Sequence, residues 1–220
     1  MRRSEVRAVV FDMDGVLIES EGLWDRVREE LTDEHGGTWS AGAHRDMMGM
    51  SSLEWPVYMR DELRLDMTPE AISNEVVERL ETLYHAELPM IAGADAAVRR
   101  LAAGFTLAVA SSSNLVLIDV VLELAGLRDL FSVVMSSEEV ARGKPAPDVY
   151  LEAARRLGVA PSECAAVEDS SAGLRAATAA GMRVLAIPNR HYPPAPDAVA
   201  AADVMLADIS GLTAEVVAGD

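Results

Sequence analysis

From Phe105 to the C-terminus, short apolar runs alternate with longer segments in which apolar residues recur at helical spacing. The short runs are Leu107 to Ala110, Val133 to Met135, Cys164 to Val167, Val184 to Ile187 and a last, shorter one, Val204 to Leu206. The helical segments between them are Leu115 to Ala125, Pro147 to Leu157 and Ala172 to Ala180. Alternating strands and helices predict a parallel sheet covered by helices on both faces. Val6 to Phe11 predicts a further strand at the start of the chain.

The segment between Ser20 and about Leu88 shows helical spacing only. Its apolar positions fall at Leu23, Val27 and Leu31, and again at Ile72, Val76, Leu80 and Leu83. This pattern predicts an all-helical insertion after the first strand of an α/β protein. The expected division is a core of residues 1–17 and 91–220 and a helical domain of residues 18–90, joined through segments that contain glycine and proline.

Polar residues follow the predicted strands at the edge where ligands bind in open parallel sheets. Asp12 and Asp14 follow the first strand, and Glu168 and Asp169 follow the run that begins at Cys164. A hydroxyl cluster follows another strand, and a lysine precedes a helix: Ser111, Ser112 and Ser113 with Asn114, and Lys144. We expect these groups to meet at one edge of the sheet.

These residue types suit phosphoryl transfer through a covalent aspartyl intermediate. Carboxylate oxygens are the ligands that Mg²⁺ prefers, which predicts a magnesium site. Asp12 is the expected nucleophile, and Asp14 is placed to protonate the leaving oxygen and then to deprotonate a water. Ser111, Ser112 and nearby backbone N–H groups would bind phosphoryl oxygens, while Lys144 would neutralise their charge.

The composition limits the classes of molecule that this protein is expected to bind. The 220 residues carry 19 basic and 36 acidic side chains, a net charge of -17, which disfavours nucleic acid and anionic membrane surfaces. Cys164 is the only cysteine, so neither an internal disulfide nor a cysteine-based zinc cluster can form, and we expect a buried thiol. No signal peptide or membrane span is evident. The expectation is a cytoplasmic protein, a monomer or weak dimer, that binds a small phosphorylated metabolite.

Three segments together resemble the haloacid dehalogenase (HAD) superfamily, in its phosphatase and phosphomutase branch with a helical cap. They are Asp12-Met13-Asp14-Gly15, Lys144-Pro145-Ala146-Pro147-Asp148 and Val167-Glu168-Asp169-Ser170-Ser171-Ala172-Gly173, and Ser111 stands at a fourth matching position. The resemblance implies a Rossmann-like core and assigns Asp12 as nucleophile and Asp14 as acid/base. It also implies magnesium ligation by Asp12, by the backbone carbonyl of Asp14 and by Asp169, with Glu168 a direct or water-mediated ligand.

The branch of the superfamily can be narrowed further. Dehalogenating members lack the second aspartate, which is present here as Asp14. The similar β-phosphoglucomutases usually carry a histidine where Trp24 stands and a Lys/Arg pair around the cap glycine, where this chain has Met48-Gly49-Met50-Ser51-Ser52. Hydrolysis is therefore favoured. The stretch Gly15-Val16-Leu17-Ile18-Glu19-Ser20-Glu21-Gly22-Leu23-Trp24 resembles most the sugar and hexitol phosphate phosphatases of this group, although these usually have Asp where Glu19 stands and Pro where Gly22 stands. This resemblance implies a sugar or polyol phosphate as substrate. A phosphoglucomutase-type transferase and a non-catalytic phospholigand-binding relative remain alternatives.

Several residues of the insertion are candidates for contacting the substrate. Trp24, Gly49 and Ser52 are proposed for this role, with packing inside the insertion as the alternative for Trp24. The four histidines are expected at the surface: His35, His44, His85 and His191. Arg45, Arg60 and Arg64 could direct positive charge toward a substrate or simply form a solvated helix face.

Overall fold

The computed structural model describes residues 5–189 and 192–219 and contains a six-stranded parallel sheet. The strand order is β3-β2-β1-β4-β5-β6. The strands are β1 (Ala8–Phe11), β2 (Thr106–Ser111), β3 (Phe131–Ser136), β4 (Cys164–Glu168), β5 (Arg183–Ala186) and β6 (Val204–Met205). The predicted α/β class with a helical insertion after the first strand is confirmed. Each predicted strand is found within two residues of its expected bounds.

Strand β1 lies at the centre of the sheet and is buried on both faces. Its neighbours are β2 and β4, so that Val10 lies beside Ala108 on one side and Ala166 on the other. Val9 and Phe11 pack into the apolar cluster on one face, whereas Val10 belongs to the cluster on the opposite face. This alternation follows from the two-residue period of a strand. The end of β1 is therefore held firmly at the middle of one sheet edge.

Ten α-helices lie in the described part of the chain. They are α1 (Glu21–Glu34), α2 (Ala43–Met47), α3 (Trp55–Asp61), α4 (Pro69–Ala86), α5 (Ala94–Ala102), α6 (Leu115–Leu124), α7 (Asp148–Leu157), α8 (Ser171–Ala179), α9 (Pro196–Ala200) and α10 (Ala214–Ala218). Helix α5 was missing from the sequence prediction. It buries Ala97, Val98 and Leu101, which recur at helical spacing and so carried a signal that was not used. None of the described helices is both long and apolar enough to cross a membrane.

Helices α1 to α4 form the insertion between β1 and α5, and two adjacent segments connect it to the sheet. The N–H of Glu19 donates to the carbonyl of Pro89 (2.8 Å), and the N–H of Ile91 donates to the carbonyl of Leu17 (2.9 Å). The entering and leaving chains therefore run side by side. We retain the division at residues 17/18 and 90/91 as a proposal, and we call the segment of residues 18–90 the cap.

The helices that cover the sheet end at the edge opposite the polar residues. Helix α7 ends with Gly158 in the left-handed conformation (φ 70°), and Gly181 (φ 77°) follows the end of α8. Both glycines were expected at helix C-termini, where a left-handed residue satisfies the last carbonyls. Each helix then returns the chain to the start of the next strand.

Candidate active site

Three buried carboxyl groups converge where β1 and β4 end. Asp12 follows β1, Glu168 ends β4 and Asp169 comes next, and the parallel pairing of Phe11 with Val167 brings the two strand ends together. One oxygen atom from each of the three lies within 4.8 Å of the other two. All three side chains are buried. This acidic cluster could hold a metal ion.

Lys144 lies against the acidic cluster and is itself buried. Its Nζ is 2.6 Å from Glu168 Oε1 and 3.1 Å from Asp12 Oδ1. Burial alone lowers the pKa of Lys144, but the Asp12 and Glu168 carboxylates raise it above its ordinary value. The Tyr150 hydroxyl also donates to Glu168 Oε1 (2.6 Å). Tyr150 was not predicted, although it lies on the helix that the lysine loop precedes.

Burial makes the acidic cluster costly to ionise. It raises the pKa of Asp12 well above its ordinary value, and the charge of Glu168 adds to the effect while Lys144 partly offsets it. The pKa of Asp169 is raised by burial and by Glu168 and Asp12. One lysine cannot neutralise three carboxylates, but Lys144 together with a divalent cation that prefers oxygen ligands balances their charge. The donor set therefore fits Mg²⁺.

Asp14 is turned away from the acidic cluster and toward hydroxyl groups. Its Oδ1 accepts a hydrogen bond from Ser20 Oγ, and its Oδ2 accepts from Ser113 Oγ (2.7 Å) and Ser111 Oγ (3.3 Å). Although Asp14 follows Asp12 by only two residues, the Asp14 carboxylate thus occupies a separate position in the wall of the same cavity. The two aspartates are placed for different tasks.

The serine cluster after β2 lines the cavity. Ser111 Oγ accepts from the N–H of Ser113 (3.0 Å), and Ser112 Oγ is buried without a partner among the described residues. The structure thus brings both predicted phosphate-binding serines to the cavity wall. Ser113, which holds Asp14, was named only as a member of the run.

Two glycines allow the chain to approach the acidic cluster closely. A Cβ atom at Gly15, where φ is +76°, would lie 1.9 Å from Asp169 Oδ2. A Cβ atom at Gly173 would lie 1.8 Å from Glu168 Oε1. Both distances are far too short for atoms that are not bonded to each other, so any side chain would displace a carboxylate. The two motifs therefore need glycine for space.

The cap closes the other side of the cavity. Trp24 and Gly49 line it, whereas Ser52 is buried and is not among the lining residues. Trp24 also packs edge-on against Trp55, with ring centroids 5.8 Å apart. Trp24 therefore both lines the cavity and packs within the cap, and its contact with a substrate stays a prediction. Gly49 lies close to the core, because a Cβ atom there would be 3.1 Å from the Ala172 Cβ.

The surface prediction was wrong for His44. This residue is only partly exposed: it lines the cavity and pairs through Nδ1 with Asp25 of α1. His35 and His85 are exposed as expected, and His191 lies outside the described residues. The three predicted cap arginines are all exposed and none lines the cavity: Arg45, Arg60 and Arg64. The cap cation at the cavity is Arg28, which was not predicted.

Comparison with known proteins gives a consistent set of relatives. A family model described as haloacid dehalogenase-like hydrolase matches residues 6–181. Hexitol phosphatase B of Escherichia coli (strain K12) is 32% identical over 222 residues, covering 96% of both chains. CbbY from Rhodobacter sphaeroides in complex with xylulose-(1,5)bisphosphate superposes with a TM-score of 0.83 at 29% identity, covering 94% of this chain and 96% of that chain.

A third relative bears on the fold only. A β-phosphoglucomutase from Clostridium difficile superposes with a TM-score of 0.82 over 96% of this chain and 95% of that chain. At 19% identity, this likeness shows a shared architecture of core and cap. It carries no argument about the reaction.

Proposed function

The chain belongs to the haloacid dehalogenase-like hydrolase family, and on that premise we propose that it is a Mg²⁺-dependent phosphomonoesterase. Its substrate would be a small phosphorylated metabolite, a sugar or polyol phosphate of the cytoplasm. The reaction would pass through an aspartyl-phosphate on Asp12. The observation that carries this proposal is that the two aspartates have separate surroundings: Asp12 lies beside Lys144, whereas Asp14 accepts hydrogen bonds from serine hydroxyl groups.

In the first step Asp12 attacks phosphorus. A bond forms between its carboxylate oxygen and phosphorus while the bond from phosphorus to the ester oxygen breaks, and Asp14 gives its proton to that oxygen. In the second step a water attacks phosphorus, Asp14 takes a proton from the water, and the Asp12 carboxylate is released. Asp14 thus returns to its starting state.

The remaining residues of the site would bind the phosphoryl group. Ser111 and Ser112 face the cavity with hydroxyl groups, and Lys144 brings a positive charge that is held in place by Glu168. Mg²⁺ on Asp12, Asp169 and Glu168, with the Asp14 backbone carbonyl, would offset the charge of the nucleophile and the phosphate. Gly15 and Gly173 keep the carboxylates in position.

Relatives support the substrate class. The name hexitol phosphatase B describes a phosphorylated polyol as substrate of that protein, and the CbbY structure holds a phosphorylated sugar. We extend that class to this chain. The mutase alternative is weaker because Met48 and Ser52 stand near the cap glycine where the mutases usually have a Lys/Arg pair. A non-catalytic binder has no need of both Asp12 and Asp14.

Release of phosphate from p-nitrophenyl phosphate tests the proposal. We expect turnover with Mg²⁺ and its loss on addition of EDTA, with recovery when Mg²⁺ is restored in excess. Absent or metal-independent turnover would favour the binder. Incubation with β-glucose 1-phosphate and its bisphosphate activator separates the mutase, because the mutase would form glucose 6-phosphate rather than free phosphate.

A further inference from the structure

The cap presents a buried guanidinium to the cavity without an ion pair. Arg28 lies on α1 and is 8% exposed, and its Cζ is 4.4 Å from the ring centroid of Trp24 and 4.7 Å from that of Trp55. Within residues 5–189 and 192–219, no carboxylate lies within ion-pair distance of it, and its Nε is buried without a hydrogen-bond partner. Two aromatic faces thus hold the side chain by cation–π contact.

Burying such a charge costs free energy unless a ligand pairs with it. A buried charge normally needs a partner with hydrogen bonds, as Lys144 has in Asp12 and Glu168. Burial lowers the pKa of Arg28 only to about 10, so the guanidinium is charged at neutral pH. Its rigid fork of donors is suited to two neighbouring oxygen atoms. Since Arg28 lines the cavity, those oxygens would belong to the substrate.

The cap also provides acceptors beside this donor. Glu21 lies two turns before Arg28 on the same face of α1 and lines the same cavity. His44, on α2, pairs with Asp25 through Nδ1, and its Nε2 is buried without a hydrogen-bond partner in the described part of the chain. The cap wall therefore offers a donor fork, a carboxyl group and an imidazole nitrogen to the part of the substrate that leaves after phosphoryl transfer.

The balance of charge favours a neutral leaving group. Glu21, Asp25 and Asp14 are the acids whose charges act most strongly on Arg28. A second phosphate or a carboxylate at this position would meet the repulsion of Glu21 and Asp25, while Asp14 holds its proton when the substrate binds. Hydroxyl groups both donate and accept hydrogen bonds, so a row of them can satisfy Arg28 and Glu21 together.

We propose that Arg28, with Glu21 and His44, binds hydroxyl groups of the leaving group and so selects phosphomonoesters of neutral polyhydroxylated molecules. This inference rests on the proposed phosphatase function and specifies its substrate. Arg28 is the specificity-determining residue, and Trp24 and Trp55 fix its position. The exposed arginines of the cap have no part in it.

Three substrates test the inference: sorbitol 6-phosphate, which has a neutral polyol leaving group, 2-phosphoglycolate, which has an anionic one, and p-nitrophenyl phosphate as the reference. The wild-type protein should prefer sorbitol 6-phosphate over 2-phosphoglycolate at least tenfold in kcat/KM. Arg28→Met should lower kcat/KM for sorbitol 6-phosphate at least tenfold more than for p-nitrophenyl phosphate, chiefly through KM. Arg60→Met, at an exposed cap arginine paired with Asp61, is the matched control. It should leave kcat/KM unchanged for sorbitol 6-phosphate and for p-nitrophenyl phosphate.

Two further variants keep the test decisive if Arg28→Met does not fold. Arg28→Lys keeps the charge but loses the fork, and it should reduce the preference for sorbitol 6-phosphate by a smaller factor. Glu21→Gln removes a negative charge, and it should raise the ratio of 2-phosphoglycolate to sorbitol 6-phosphate activity at least fivefold.

The outcomes separate the two levels of the proposal. If the wild-type protein with Mg²⁺ releases no phosphate from p-nitrophenyl phosphate, the proposed function itself fails. If it does release phosphate but the Arg28 variants lose activity equally on all three substrates, the function stands and the role of Arg28 is refuted. A wild-type preference for 2-phosphoglycolate over sorbitol 6-phosphate would likewise overturn the inference.

Discussion

Ser113 holds Asp14 through a 2.7 Å hydrogen bond from its Oγ to Oδ2 of the carboxylate. The bond crosses between two strand ends, because Asp14 follows β1 and Ser113 follows β2. Asp14 is thereby kept beside the serine cluster and apart from the acidic cluster of Asp12. The proposed acid/base residue depends on this serine for its direction.

Ser113→Ala should lower kcat by about tenfold, since a hydrogen bond to a charged group contributes roughly 1.5–3 kcal/mol. Asp14 keeps its other two hydroxyl donors, so activity should not vanish. Steady-state kinetics on p-nitrophenyl phosphate measures the effect. Ser132→Ala, at an exposed position of β3, is the control and should behave as wild type. Unchanged kcat in Ser113→Ala would contradict the positioning role.

Asp12→Asn should reduce turnover at least about a thousandfold while preserving the fold, because it removes the nucleophile and keeps its size. Without metal the variant should be at least as stable as wild type, because burial and Glu168 raise the pKa of Asp12 and make its ionised form unfavourable. Thermal unfolding with EDTA checks this second point. Asp129→Asn, at an exposed aspartate, controls for the substitution itself. Near-normal turnover in Asp12→Asn would exclude the covalent route.

Asp169→Asn should weaken Mg²⁺ binding at least tenfold, whereas Asp14→Asn should weaken it by less than about threefold. Asp169 belongs to the acidic cluster, while the Asp14 side chain is bonded to serines and its backbone carbonyl survives substitution. The shift of the unfolding midpoint with Mg²⁺ concentration reports the affinity of the folded state. Equal losses in the two variants would show that the Asp14 side chain is itself a ligand.

The free energy of unfolding of Glu21→Gln should increase relative to that of the wild-type protein as the pH rises from 5 to 8. Burial first, and then the charge of Asp14, raises the pKa of Glu21 from 4.5 to about 7. The folded state therefore binds more protons than the unfolded state between these values, so ionisation of Glu21 lowers the free energy of unfolding as the pH rises. Arg28 and His44 oppose the shift and Asp25 adds to it.

Urea unfolding of both proteins at pH 5 and pH 8 measures this difference. Glutamine does not titrate, so the advantage of the variant should grow across the range and level off above pH 7. An advantage that is constant with pH would mean that Glu21 titrates alike in the folded and unfolded states. Glu29→Gln, at an exposed position of α1, should show no such trend.

Cys164 should be unreactive in the folded protein. It is fully buried at the start of β4, and burial, with a smaller effect of Glu163, raises the pKa of its thiol to about 11. Only about one thiol in ten thousand is then ionised at pH 7, and the thiolate is the reactive form. Ellman's reagent should label the native protein slowly and the protein in guanidinium chloride within seconds. Rapid labelling of the native state would indicate local opening of β4.

The core of the fold could be predicted because strand and helix periods differ along the chain. The resemblance to the superfamily, and with it the expectation of a family hydrolase, is confirmed by the match over residues 6–181. The residues at strand ends were also expected to meet, since parallel strands place their carboxyl ends on one edge. Asp12, Glu168 and Asp169 do so. Their roles remain predictions that the variants above test.

The cap wall could not be predicted, because helical spacing does not determine how short helices pack on one another. His44 was placed at the surface for this reason. Arg28 carried a signal that was not used: it is four residues after Trp24 and three before Leu31, in the middle of the buried stripe of α1. A charged residue at such a position is rarely buried unless another group pairs with its charge. Ser52, by contrast, was a candidate for contacting the substrate, and it is buried away from the lining of the cavity.

The glycine turns that follow the helices, at Gly126, Gly158 and Gly181, lie at the edge of the sheet opposite the cavity. That edge is consequently the place to attach a fluorophore or an affinity tether. A cysteine introduced at Gly104, where no atom would lie within 4 Å of its Cβ, would be labelled while Cys164 stays protected. The protein could then be immobilised with its cavity facing the solution.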